Sequence, residues 1–198
     1  MKRLYSGFLV LVLSVLMSPA FANAQAENLV TSVNSRIFSI LQQRHAELKA
    51  NPDLISSFVE QEIIPFVDFN GMTKLTLGKH WKTATEDQRA RFGQAYQQML
   101  TRSYANTMLA FAGATISVIR SVPSSRNGYL SVETRVQPVA AEAKNAKFDL
   151  RLINNEWKAY NVSVDGVDLI TNFRTNFTRE ISASGLEALI NRLEREVA

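Results

Sequence analysis

The chain has 198 residues, 46% of them apolar, and contains no cysteine. It is long enough to bury a core, which must hold without disulfides, and thiol catalysis, iron–sulfur clusters and cysteine zinc sites are excluded. The net charge of +4 includes Lys2 and Arg3. The remaining bases interleave with acids, Arg89 and Arg91 beside Glu86 and Asp87, which describes solvated helix faces rather than the basic stripe of a nucleic-acid binder.

Lys2 and Arg3 precede an apolar run from Phe8 to Met17, which Ser18-Pro19 breaks. Two small-x-small sites follow, Ala20-Phe21-Ala22 and Ala22-Asn23-Ala24. This order predicts a secretory signal peptide over residues 1–24 and a single exported domain over 25–198. The run is about half of the ~20 residues that a spanning helix needs. An exported chain without cysteine fits a bacterial periplasm.

From Glu27 to Leu48, Val30, Val33, Ile37, Ile40 and Leu41 recur at helical spacing, predicting an amphipathic helix. Asn51-Pro52-Asp53 opens a second helix, with Asn51 as its cap. Pro65 ends or kinks it, leaving a turn or short helix between Phe66 and Leu77. Thr85-x-x-Gln88 is a capping-box pattern at the start of the longest helix. Phe92, Tyr96, Met99, Leu100, Tyr104, Met108 and Phe111 follow on one broad stripe, and Gly113 is the expected stop.

Beyond Gly113 the period changes to two. Ile116 and Val118, then Leu130, Val132, Thr134 and Val136, then Phe148, Leu150 and Leu152 alternate with polar neighbours. Asn127-Gly128 and Asn154-Asn155 supply turns, and Trp157 to Val164 completes a fourth strand. A helical region from Val167 to Arg195, interrupted near Ser184-Gly185, closes the chain. The expected fold is α+β, with helices on one face of a curved four-stranded antiparallel sheet.

Chemistry-bearing residues are scarce. His45 lies between Arg44 and Glu47 on a helix surface, and His80 has no second histidine or carboxylate at ligand spacing. Asp165-Gly166-Val167-Asp168 lacks the alternating oxygens and closing glutamate of a calcium loop. It reads instead as a turn with Asp168 capping the next helix. No nucleophile elbow or phosphate-binding glycine loop is present. The composition therefore calls for no catalytic residue, no metal and no cofactor. What remains is a set of apolar stripes, which either pack together as core or stand apart around an apolar cavity.

Three stretches resemble the MlaC family of periplasmic phospholipid-binding proteins, also called the toluene-tolerance auxiliary family. They are NPDLISSFVEQEIIPFV from Asn51 to Val67, LGKHWKTATEDQRARF from Leu77 to Phe92, and WKAYNVSVDGVDLITNFRTNF from Trp157 to Phe177, followed by GLEALINRL from Gly185. Asn161 and Asp168 depart from the Asp and Ser expected in the family. The resemblance implies a soluble, monomeric carrier moving phospholipid between the two membranes of a Gram-negative envelope. The implied partners are an outer-membrane lipoprotein–porin complex and an inner-membrane ATP-driven transporter with a substrate-binding ring. The implied role is maintenance of outer-membrane lipid asymmetry, with phospholipid as cargo rather than cofactor.

On that reading the cavity lies between sheet and helices. Ile64, Phe66, Val67, Leu75, Leu77, Trp81, Tyr96, Met99, Leu100, Tyr104 and Met108 are the helix-side candidates. Val118, Leu130, Val132, Leu150 and Leu152 are the sheet-side candidates, and Phe173 and Phe177 would close the end. Lys79, Lys82 and Arg174 are candidates for a phosphate at the mouth. Two other classes remain open: an enzyme on a cone-shaped α+β fold, which needs an acid or histidine facing the pocket, and an exported interaction module with an exposed apolar face.

Overall fold

The computed structural model describes residues 19–51 and 53–197. The predicted apolar run of the signal peptide lies outside them. Among the described residues the order is α1 (Pro19–Gln43), α2 (His45–Ala50), α3 (Asp53–Glu62), α4 (Phe69–Leu77), α5 (Glu86–Leu109), β1 (Thr115–Pro123), β2 (Tyr129–Gln137), β3 (Lys144–Ile153), β4 (Glu156–Val164), β5 (Val167–Asp168), α6 (Leu169–Ser184) and α7 (Leu186–Val197). Short 3₁₀ turns cover Ile64–Phe66 and Gly78–Lys82. None of these helices is long and apolar enough to cross a membrane.

The α+β class and the antiparallel meander stand, but the sheet has five strands in the order β1-β2-β3-β4-β5, not four. The two-residue β5 pairs Ser163 with Asp168 and Val164 with Val167, too short to leave a period-two signal. The single helix expected over Glu27–Leu48 is broken at Arg44, whose guanidinium grips Glu47 at 2.8 and 3.0 Å. At the start of α3, the bond is from the Leu54 N–H to the Asn51 backbone carbonyl, at 3.1 Å.

Local signals elsewhere match their structures. Thr85 Oγ1 accepts from the Gln88 N–H and Gln88 Oε1 from the Thr85 N–H, each at 3.1 Å, completing the capping box. Asn154 and Asn155 both have positive φ, 49° and 64°, the two-residue turn whose twist suits a hairpin. Gly185 at φ 86° separates α6 from α7; a side chain there would be strained.

Two bulges bend the sheet. Ile119 is the extra residue in β1, and Tyr160 the extra residue in β4, between the pairs Asp149–Asn161 and Leu150–Ala159. The second bulge keeps Ala159 facing α1 with Leu130 and Leu150, while Tyr160 turns into the helical side.

Three apolar clusters result. One joins α1, α2, α3 and the end of α5 to Val136 and Ala146 of the sheet. A second is helical, built by Met72, Phe92, Tyr96, Ile170, Phe177, Leu189, Ile190 and Leu193. The third lays Ala26 and Val30 of α1 over Leu130, Val132 and Leu150.

Asn161 and Asp168 form one polar unit with Asp149. The Asn161 amide donates to Asp149 at 3.0 Å and to Asp168 at 2.6 Å, and its carbonyl accepts from the Ile170 N–H at 3.3 Å. Asp168 caps α6 through the Thr171 N–H at 2.7 Å. An acid at 161 would stand between two carboxylates; an amide supplies the donor that both need.

Burial acts to raise the Asp168 carboxyl pKa, but the Thr171 N–H, Asn161 and Ser163 outweigh it and hold the pKa below its ordinary value. A depressed acid stabilises the fold at neutral pH, and that share is lost as pH falls through its folded pKa. Acid titration of stability should therefore show a fall below about pH 4, the ordinary aspartate range, which Asp168→Asn reduces. Thr85→Ala should lower stability by about 1 kcal/mol in denaturant melts by removing the α5 cap.

Candidate functional site

The clusters do not close on one another everywhere. Between the first and the helical cluster lies an apolar cavity of ≈ 230 Å³. Its walls are Val59, Ile63 and Ile64 at the end of α3, Val67, Phe69 and Met72 around the start of α4, and Gln97, Leu100, Thr101, Tyr104 and Met108 of α5, with Val162 and Leu169 behind. A second cavity of ≈ 90 Å³ lies between the first cluster and the α1–sheet cluster. Leu29, Val30, Val33, Asn34 and Ile37 of α1 face Phe148, Leu150 and Ala159 across it, with Ile63, Phe66 and Val67 on the remaining side.

The α5 wall follows from helical geometry. Gln97, Leu100, Thr101, Tyr104 and Met108 are spaced by three or four residues and share one face. Phe92, Tyr96 and Met99 lie on an adjoining face turned into the helical cluster. Tyr96 stacks on Phe92 at 5.5 Å between ring centroids and meets Phe173 and Phe177 edge-on. Burial pushes the Tyr96 phenol pKa above its ordinary value.

The walls carry little that can react. Thr101 Oγ1 donates to the Gln97 carbonyl at 3.0 Å, and the Asn34 amide to the Val30 carbonyl at 2.8 Å, so these two are bonded within their own helices; Gln97 adds a neutral amide to the walls. Among the residues lining the two cavities there is no acid and no histidine. Asp149 is buried on the opposite sheet face, where it accepts from Ser131 at 2.6 Å.

The segment between α3 and α4 forms a strap beside both cavities, and the β3–β4 hairpin holds it. Lys158 Nζ donates to the Pro65 carbonyl at 2.7 Å, the Asp68 N–H to the Ala159 carbonyl at 2.8 Å, and Val67 bridges Ala159 in parallel. Arg151 pairs with the buried Asp68 carboxylate, which also accepts from the Gly71 N–H at 2.9 Å. Any side chain at Gly71 would collide with that carboxylate.

Of the residues chosen from sequence, Ile64, Val67, Leu100, Tyr104 and Met108 line the larger cavity, and Phe66, Val67 and Leu150 the smaller. Leu77, Trp81, Tyr96, Met99, Phe173 and Phe177 belong to the helical cluster instead. Leu130 and Val132 are solid core under α1, with Val118 packed against them. Leu75 and Leu152 are exposed; Leu152 has the parity of the inner face but sits at the hairpin end, where its strand partner is Trp157. Lys79, Lys82 and Arg174 line neither cavity, and Arg174 is committed to the Leu75 carbonyl at 2.6 Å. Sequence reasoning missed Val59, Ile63, Phe69, Met72, Val162 and Leu169 of the larger cavity, with the polar Gln97 and Thr101, and the whole α1 wall of the smaller with Phe148 and Ala159. Ile63 and Phe69 flank the proline and the turn, where no periodicity extends to mark them.

The fold is α+β, with two apolar pockets between its packed clusters, and comparison with known proteins gives its lineage. The MlaC protein family model matches residues 31–195, and the chain belongs to the MlaC family. It is 19% identical to the intermembrane phospholipid transport system binding protein MlaC of Haemophilus influenzae, over 96% of this chain and 90% of that one. It is 25% identical to the toluene tolerance protein ttg2D of Pseudomonas putida, over 86% and 80%. A phospholipid-binding protein from Ralstonia solanacearum, solved in complex with a phospholipid, superposes with a TM-score of 0.78 at 21% identity, covering 87% of this chain and 96% of that one.

Proposed function

We propose that this protein is a periplasmic phospholipid carrier, exported through a cleaved signal peptide, that takes diacyl lipid between the outer and inner membranes and so maintains outer-membrane lipid asymmetry. The observation that carries the reading is the larger cavity, whose walls are apolar and unreactive and lie open between two packed clusters. The names of the relatives, which bind or transport phospholipid, support it.

The physical requirement explains the wall. A diacyl lipid leaving a bilayer exposes about thirty methylenes at ~0.8 kcal/mol each, on the order of 25 kcal/mol. An apolar enclosure offsets that cost, and needs few polar side chains because acyl chains offer nothing to hydrogen-bond. Met72 and Met108 give the wall two flexible side chains able to adapt to chains of different shape. Release and loading belong to partners at each membrane, an outer-membrane lipoprotein–porin complex and an inner-membrane ATP-driven transporter. An enzymatic reading has no acid or base on these walls to work with.

Native mass spectrometry of protein purified from a Gram-negative host should show the mass of a co-purified diacyl phospholipid. Met108→Glu and Leu100→Glu each place a carboxylate among the acyl chains and should cut lipid retention at least tenfold, while Met108→Leu retains it. A lipid-free wild type, under conditions that preserve lipid complexes, contradicts the proposal. So does full retention by glutamate variants whose thermal melts remain cooperative.

A further inference from the structure

From Phe69 to Thr85 the chain carries Lys74, Lys79 and Lys82 and no acid. The acids that bound this stretch are Asp68, buried and paired with Arg151, and Glu86 at the start of α5. Elsewhere, bases such as Arg36, Arg91, Arg120 and Arg192 are paired with acids. Among the described residues no acid lies within ion-pair distance of Lys74, Lys79, Lys82, Arg89 or Arg174.

The fold gathers these bases at the C-terminal end of α4. Gly78 takes φ 55°, which side chains rarely adopt, and turns the chain from α4 into the 3₁₀ turn Gly78–Lys82. Lys79 and Lys82 are three residues apart in that turn, and 3₁₀ side chains at this spacing eclipse one another. Arg174 reaches across from α6. Its Nε donates to the Leu75 carbonyl at 2.6 Å, and its Cδ lies 3.4 Å from where a Cβ on Gly78 would stand. Arg89 of α5 lies over the Trp81 ring at 5.0 Å and donates to the Trp81 carbonyl at 2.8 and 3.1 Å. Lys74, Lys79 and Lys82 are exposed, Leu75 is exposed beside them, and Trp81 is half-buried.

Gathered like charges repel one another, and an anionic partner relieves that repulsion. Two features select the partner. Lysine is a flexible point charge, suited to a fluid array of anions more than to one carboxylate of fixed shape. An exposed leucine and a tryptophan among bases match the composition that lies at a membrane interface. We infer that this end of α4 is a docking face for an anionic bilayer surface, with Lys74, Lys79, Lys82 and Arg174 over lipid phosphates and Leu75 at headgroup level. It uses none of the residues that line the two cavities, and rests on the carrier reading for bringing the chain to a bilayer. Each base near such a surface strengthens adsorption about fivefold, and salt screens them all together. The contact is therefore reversible, as a shuttle requires.

The test is co-sedimentation of the wild-type protein with vesicles of phosphatidylcholine alone, or of phosphatidylcholine and phosphatidylglycerol in equal parts, at low ionic strength. Partition onto the anionic vesicles should exceed that onto phosphatidylcholine at least tenfold, and fall away at high salt. Lys79→Gln combined with Lys82→Gln should lower it roughly twenty-fivefold, with the thermal melt and co-purified lipid unchanged. Lys49→Gln combined with Arg135→Gln removes the same charge from other exposed positions and should lower it less than threefold. Equal losses in the two double variants overturn the inference. So does failure of the wild type to adsorb to either vesicle, which leaves the patch to an acidic protein partner. Adsorption and lipid retention are read separately, so the loss of one without the other identifies whether docking or the carrier reading has failed.

Discussion

The strap from Ile63 to Asp68 is held by polar bonds and faces apolar space, and the rest of the site depends on that division. Its Pro65 carbonyl is bound by Lys158 and its Asp68 N–H by the Ala159 carbonyl, and its buried carboxylate by Arg151 and the Gly71 N–H. A buried carboxylate without such partners would carry an uncompensated desolvation cost. With them, the segment is kept against the sheet although the apolar clusters on either side do not meet across it. The clusters alone would gain by closing on one another. The polar stitching sets the spacing, and the cavities are what remains between parts that cannot approach further.

Holding an apolar void open works against close packing. Void-lining residues lose dispersion contacts that a filled core would supply. The chain offsets this with cores that are well packed elsewhere: the helical cluster around Phe92 and Tyr96, and α1 laid over Leu130 and Val132. The Asn161 unit adds a second anchor. By joining Asp149 to the α6 cap at Asp168, it ties the sheet to the helices behind the larger cavity.

The fold was largely legible because its signals are local. The Thr85–Gln88 box, the Asn154-Asn155 turn and the break at Gly185 each require only a few neighbouring residues, and period two marks the four long strands. The fifth strand is two residues long, and the Arg44 break interrupts a pattern that stays apolar on both sides. The site was legible only in part. The α5 helix carries two adjoining apolar faces, one on the cavity and one in solid core, and periodicity merges them into a single stripe. Tyr96 and Tyr104 look alike in sequence, yet one is buried among four aromatic rings and the other is an exposed residue at the cavity wall. Which apolar residue faces a void depends on how far apart whole elements stand, and that distance is set by Asp68, Arg151 and Lys158, whose partners are remote in the chain.

The family assignment and the cavity walls lead to one claim, that acyl chains occupy the seam between the α5 wall and the strap. A crystal structure of the protein purified with its lipid tests this most directly. The account predicts acyl-chain density in contact with Leu100, Met108 and Val162, with the helical cluster around Tyr96 unmoved. Lipid density on the outer surface, with the seam between α5 and the strap closed by protein side chains, would contradict it.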